Sequence, residues 1–156
     1  MMSLKEQNIK VEKIMKWIPE VIKETFTDYE HFGHLFERHV NKEDEYLRRR
    51  CITERVDAST FIGYEAEILK MVVESLNDNE NINQIAEYLA NEEWTDACGI
   101  FCKLTDNVKG VIYLQDPNRH NWDNHIYCRE FVIYIRKTDA RTNNDFFIES
   151  VYPISD

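Results

Sequence analysis

The sequence has little glycine and proline, four and three in 156 residues, and no glycine-rich run from which backbone amides alone could cradle a phosphate. It contains no P-loop, no G-x-G-x-x-G, no H-E-x-x-H and no nucleophile elbow, so the enzyme classes defined by those motifs have no foothold. No window comes near the run of about 18 apolar residues that a membrane-spanning helix needs. The chain does not open with a charged stretch followed by an apolar one, so it reads as cytoplasmic as encoded. Positive charge is the scarcer sign: 19 Lys and Arg stand against 29 Asp and Glu, for a net charge of -10. That weighs against broad nucleic-acid binding, which draws its affinity from many cations on the phosphate backbone. The cysteines Cys51, Cys98, Cys102 and Cys128 include no C-x-x-C pair, and we expect them to be buried and reduced.

What is present suits one globular domain. Hydrophobic residues make up 43%, enough for a core at this length without disulfides. Residues 4 to 18 carry Ile9, Ile14, Trp17 and Ile18 at helix-like spacing, after which Pro19 predicts a kink or the first turn of a second helix over 19 to 26. Thr27 or Asp28 is placed to cap a helix running through Phe32, Leu35 and Phe36 towards His39, and a short helix is expected over 43 to 51. Ser59 or Thr60 then caps a helix with the stripe Ile68, Leu69, Val72, Val73 and Leu76, and another follows from Ile82 to Leu89. After Trp94 the period changes. Residues 98 to 104, 109 to 114, 126 to 137 and 145 to 152 read as four strands of an antiparallel meander, the last stopping at Pro153. The expected fold is therefore α+β, a single domain over 1 to 156, with a helical part of about 4 to 93 packed on one face of a strand-rich part of about 97 to 153.

Three groups of residues could carry chemistry. His120, His125 and Cys128, near Asp116 and Asp123, could be drawn as a metal site, but they lack the paired ligand spacing of structural zinc and read equally as a polar loop before a strand. His39 and Arg50 form the stronger constellation. Phosphodiester cleavage needs a base that is neutral near pH 7 and a cation for the charge on phosphorus, and the guanidinium fork matches phosphate oxygens in pairs. Arg48, Arg49 and Arg50 could equally be the solvated face of a short helix, paired with Glu43, Asp44 and Glu45. The third group is Ser150 and Tyr152, two apart in the last strand and hence on one face, where two hydroxyls could bond a phosphate or an attacking oxygen.

The order of these features resembles the bacterial ribonuclease-A-like toxin domain at the C-termini of contact-dependent inhibition and related polymorphic toxin proteins. That family has a His-Val-Gly-Lys run, an arginine eleven residues after the histidine, an Ala-Ser-Thr-Phe turn opening a helix, and a last strand ending Thr-Ala-Tyr-Pro. The corresponding places here read His39-Val40-Asn41-Lys42, Arg50, Ala58-Ser59-Thr60-Phe61 and Ser150-Val151-Tyr152-Pro153. Asn41 stands in place of glycine and Ser150-Val151 in place of Thr-Ala. The resemblance covers roughly residues 34 to 153.

It implies a kidney-shaped α+β fold like that of ribonuclease A, cleavage of RNA by transesterification without metal or other cofactor, delivery of such toxins into target cells, and a cognate immunity protein as partner. Carried over by position, His39 is the acid/base histidine, Arg50 the phosphate-stabilising cation, and Ser150 and Tyr152 the hydroxyls. His34, close to His39 in sequence, is a candidate second proton carrier. The alternative is a catalytically inactive relative of the same fold that acts as an acidic protein-interaction domain. An immunity protein or antitoxin is suggested by acidity alone.

Overall fold

The computed structural model describes residues 3–115, 125–138 and 146–155. The first helix, α1, runs from Leu4 to Thr25 without a break at Pro19. Proline removes the amide that would bond the carbonyl one turn back, but Pro19 is on the exposed face, where water can serve that carbonyl. On the opposite face Ile14, Ile18 and Ile22, spaced four apart, are all buried, so tertiary packing holds the helix across the proline. Asp28 caps only a single 3-10 turn, Tyr29–His31. The helix expected to run from there to His39 is reduced to α2, Leu35–Arg38, because Gly33 between them sits at φ +60°.

Helix α3 spans Asp44–Thr53, and strand β1 follows at Ala58–Ile62. Ser59 and Thr60 therefore lie inside a strand and cap no helix, correcting the expected turn. The pairing that makes them a strand comes from far along the chain: β1 runs antiparallel to β3, Lys109–Tyr113. Helices α4, Glu65–Leu76, and α5, Asn79–Ala90, are separated at Asn77 and Asp78, with the Asp78 side chain capping α5. In α4 the expected stripe is seated with Ile68, Val72 and Leu76 fully buried, joined by Met71.

The strands form two sheets instead of one meander. Strands β1, β3 and β4 (His125–Cys128) make one three-stranded antiparallel sheet; β2 (Cys98–Lys103), β5 (Glu130–Lys137) and β6 (Phe146–Ile154) make the other, with β3 and β5 central. The single strand expected over 126 to 137 is thus divided at Arg129, its halves serving different sheets. Strand β6 continues through Pro153 to Ile154. It is an outer strand, where a missing amide hydrogen need not break the ladder. The two sheets approach closely at this point, since a Cβ on Gly110 of β3 would lie 3.0 Å from the Pro153 ring.

One hydrophobic cluster joins α1, α4 and α5 to Ile100, Phe131, Ile133, Ile135, Phe146, Ile148 and Val151 of the second sheet, and Phe61 of β1 meets Phe131 edge-on at 5.7 Å. Cys102 is buried within it, while Cys51, Cys98 and Cys128 are only partly so; all four are free thiols. Among the described residues no helix is long and apolar enough to cross a membrane.

A buried cation closes the end of α5. Lys137 is 8% exposed. Its Nζ donates to the carbonyls of Asn91 and Trp94 and lies 4.9 Å from the centre of the Tyr88 ring. Burial, with Lys10 nearby, lowers its pKa from the ordinary lysine value. Replacing Lys137 by methionine keeps the stem but strands two carbonyls, so we expect a loss of about 1–3 kcal/mol in urea denaturation.

Candidate functional site

The site is assembled where the end of α2, α3, β1 and β6 meet. His39 follows the last turn of α2, and its backbone is already part of the sheet edge: the Phe61 amide donates to His39 O, and the Asn41 amide donates to Phe61 O. Between these bonds Val40 and Phe61 form a parallel bridge. Asn41 has φ +49°, a left-handed conformation that glycine adopts most easily and asparagine tolerates better than most residues. Its side chain donates to Gly63 O at 2.7 Å and accepts from Gly63 N at 3.1 Å. Asn41 thus takes a left-handed bend and ties it to the end of β1.

The His39 ring is oriented by β1. Its Nδ1 lies 3.0 Å from the carbonyl oxygen of Ser59 and 3.4 Å from Ser59 Oγ. A carbonyl only accepts, so Nδ1 carries the proton and Nε2 presents its lone pair. Burial is the largest influence on the ring and pushes its pKa down to about 4 from 6.5. The bond to Ser59 opposes the shift, while the charges of Arg50, Arg38 and His34 add to it. His39 is therefore neutral at pH 7, in the form a proton acceptor requires.

Of the three consecutive arginines, Arg49 is the well-exposed one and pairs with Glu45 at 2.9 Å. Arg48 is half-buried, pairs with Asp44 at 3.0 Å and lies over the Tyr113 ring. Arg50 is the most buried of the three. Its side chain is 17% exposed, its Nε donates to Glu54, and its Nη1 is buried with no hydrogen-bond partner among the described residues. It is close enough to His39 to depress that ring's pKa, and it lowers the pKa of Glu54 through their bond. An unpaired buried guanidinium nitrogen is costly in an isolated protein and becomes an asset when an anion arrives.

Strand β6 brings the third component. The Tyr152 ring lies 5.7 Å from the His39 ring, tilted by 41°. Burial raises its pKa first of all, and the neighbouring Tyr134 adds to the rise. Ser150 is half-buried on the same face, opposite Tyr134, but makes no side-chain hydrogen bond among the described residues. His34 is not brought to the cluster by contact: it is exposed and held by Glu37 at 3.0 Å.

Both hydroxyls owe their outward direction to a bulge. Phe146 and Ile148 point into the core, and strict alternation would send Ser150 and Tyr152 after them. Tyr134 pairs with Ser150 while the next residue, Ile135, pairs with Ile148, leaving Glu149 as the extra residue. The phase reverses there, so Val151 and Pro153 become the buried positions. The sequence signal available beforehand was the change of apolar spacing from 146 and 148 to 151 and 153. Ser59 lay within the run Ala58-Ser59-Thr60-Phe61 without a role at the site, Glu54 and Tyr134 carried no motif, and only the folded chain places the three near His39 and Arg50.

The cluster around His125 is incomplete in the described residues, because Asp116, His120 and Asp123 lie outside them. His125 packs between Tyr113 and Tyr127, at 5.2 and 6.0 Å. Among the described residues no group of three or more His, Cys, Asp or Glu side chains is placed to hold a metal ion. Compared with models of protein families, with curated proteins and with solved structures, the chain matches none.

Proposed function

We propose that this α+β protein is a metal-independent endoribonuclease of the ribonuclease-A-like toxin type, cleaving RNA by transesterification at His39, Arg50 and Tyr152. What supports the reading is a neutral, oriented histidine with an arginine whose charge reaches it and a tyrosine ring 5.7 Å away, the tyrosine drawn from more than a hundred residues further along the chain. His39 Nε2 accepts the proton of the ribose 2′-hydroxyl as that oxygen forms a bond to phosphorus. The bond to the 5′-oxygen breaks, that oxygen takes a proton from solvent, and His39 gives its proton back to solvent, leaving a 2′,3′-cyclic phosphate and a 5′-hydroxyl. The Arg50 guanidinium bonds the non-bridging phosphate oxygen as its charge grows. Tyr152, raised in pKa, remains protonated at pH 7 and donates a hydrogen bond, while Ser150 lies one pleat along the same face. A cognate immunity protein is the partner this reading implies.

The second reading, an acidic interaction domain without catalysis, is favoured by one observation: the Glu54 carboxylate already occupies Arg50 Nε. The two separate on a simple experiment. Purified protein incubated with RNA in excess EDTA should yield cyclic-phosphate ends. Absent cleavage, or cleavage only with divalent metal, overturns the ribonuclease reading. Arg50→Lys tests the fork, since one ammonium cannot hold Glu54 through one nitrogen and offer another to phosphate. We expect cleavage to fall by about 10²-fold or more.

A further inference from the structure

The rings at the site continue beyond it. From His39 the row passes to Tyr152 and then to Tyr134, whose ring centre lies 5.9 Å from that of Tyr152 at an angle of 35°. Tyr134 pairs with Gly99 on the far side, and a Cβ on Gly99 would come within 3.0 Å of the Tyr134 ring. The glycine leaves the ring room to lie across the strand. Beside it on β2, opposite Val132, Phe101 is 61% exposed. The outer face of this sheet thus presents aromatic surface that the core does not use, beginning at His39, where the charges of Arg50 and Arg38 are felt.

We infer that this face is a stacking platform for the bases of single-stranded RNA, with the scissile phosphate at His39 and Arg50 and the neighbouring bases on Tyr152, Tyr134 and Phe101. The inference rests on the ribonuclease reading and adds the form of the substrate. In a duplex the base faces are occupied by their neighbours, so only an unstacked strand can use such a surface. Stacking also accounts for how a chain of net charge -10 could hold RNA, because affinity then comes mainly from ring contact and only one or two phosphates are neutralised. The salt dependence should be correspondingly shallow. A logarithmic slope of about -1 is expected, against far steeper values for proteins that bind many phosphates.

The test uses a fluorescein-labelled octamer of mixed sequence with 2′-O-methyl riboses, which cannot be cleaved by this chemistry. Anisotropy titrations compare wild type, Tyr134→Ala, Tyr134→Phe and Phe101→Ala, with thermal melts to establish folding. We expect Tyr134→Ala to weaken binding about tenfold or more and Phe101→Ala several-fold, with Tyr134→Phe within about twofold of wild type. The same sequence as a duplex should bind at least about tenfold more weakly. Phe101 is exposed, so its variant remains informative even where Tyr134→Ala does not fold. Wild-type failure to bind the octamer, equal binding of the duplex, or a Phe101→Ala protein that binds as wild type does, overturns the platform. Cleavage of unmodified RNA is measured separately. Cleavage without dependence on these rings removes the platform alone; ring-dependent binding without cleavage removes the ribonuclease reading alone.

Discussion

Replacing His39 by glutamine is expected to reduce cleavage of RNA by roughly 10²- to 10⁴-fold, the range that a positioned general base contributes. Glutamine is uncharged like the neutral ring, close to it in size and able to hydrogen-bond, so the variant should keep its fold, but it has no basic lone pair for the 2′-hydroxyl proton. The wild-type pH profile should carry the signature of the same ring. A histidine held down to about 4 stays in its basic form through mildly acidic solution. The acid limb of kcat/KM for the free enzyme should therefore have its midpoint nearer 4 than 6.5. A limb centred at 6.5 or above would place the titrating base elsewhere, and undiminished cleavage by His39→Gln would end its catalytic assignment.

Stability gives an independent readout of the same shift. The folded pKa lies below the unfolded one, so between pH 6.5 and 4 the unfolded chain binds the proton more readily. The contribution is fully present above pH 6.5 and is lost as pH falls towards 4, with a ceiling of about 3 kcal/mol. His39→Gln cannot titrate and should lose less stability than wild type over that interval. Urea denaturation at pH 7 and at pH 4.5 measures the difference; parallel losses would mean that the ring is less buried than the structure has it.

How much of this was legible beforehand follows from which interactions are local. The stripes of α4 and α5 could be read, and residues 39, 50, 150 and 152 nominated, because helical period and residue chemistry are written in short stretches. Strand β1 could not, since Ala58-Ser59-Thr60-Phe61 becomes a strand only by pairing with residues 109 to 113. The division of 126 to 137 between two sheets was hidden for the same reason. Pro19 misled in the other direction: a strong local signal for a break lost to Ile14, Ile18 and Ile22 packing on one core. At the site, sequence could nominate His39 but not the Ser59 carbonyl that fixes its tautomer, because a backbone oxygen has no residue signature.

The bulge in β6 supplies the second large effect, through a glycine far from the chemistry. A Cβ on Gly33 would stand 2.4 Å from the carbonyl oxygen of Glu149, the extra residue of the bulge, and 3.1 Å from that of Ile148. Gly33 also has φ +60°. Gly33→Ala therefore adds a left-handed penalty to a collision with backbone that cannot rotate away. The expected loss is about 2–4 kcal/mol, or a fall in melting temperature of roughly 10 °C. Because the bulge turns Ser150 and Tyr152 out of the core, cleavage should also fall at temperatures where the variant remains folded. Asparagine at the same position separates the two causes. It tolerates the left-handed backbone, as Asn41 does at φ +49°, yet brings the same Cβ. Gly33→Asn should therefore be nearly as damaging as Gly33→Ala. Recovery of wild-type stability and cleavage by asparagine would mean that the dihedral alone requires glycine and that Gly33 does not set the phase of β6.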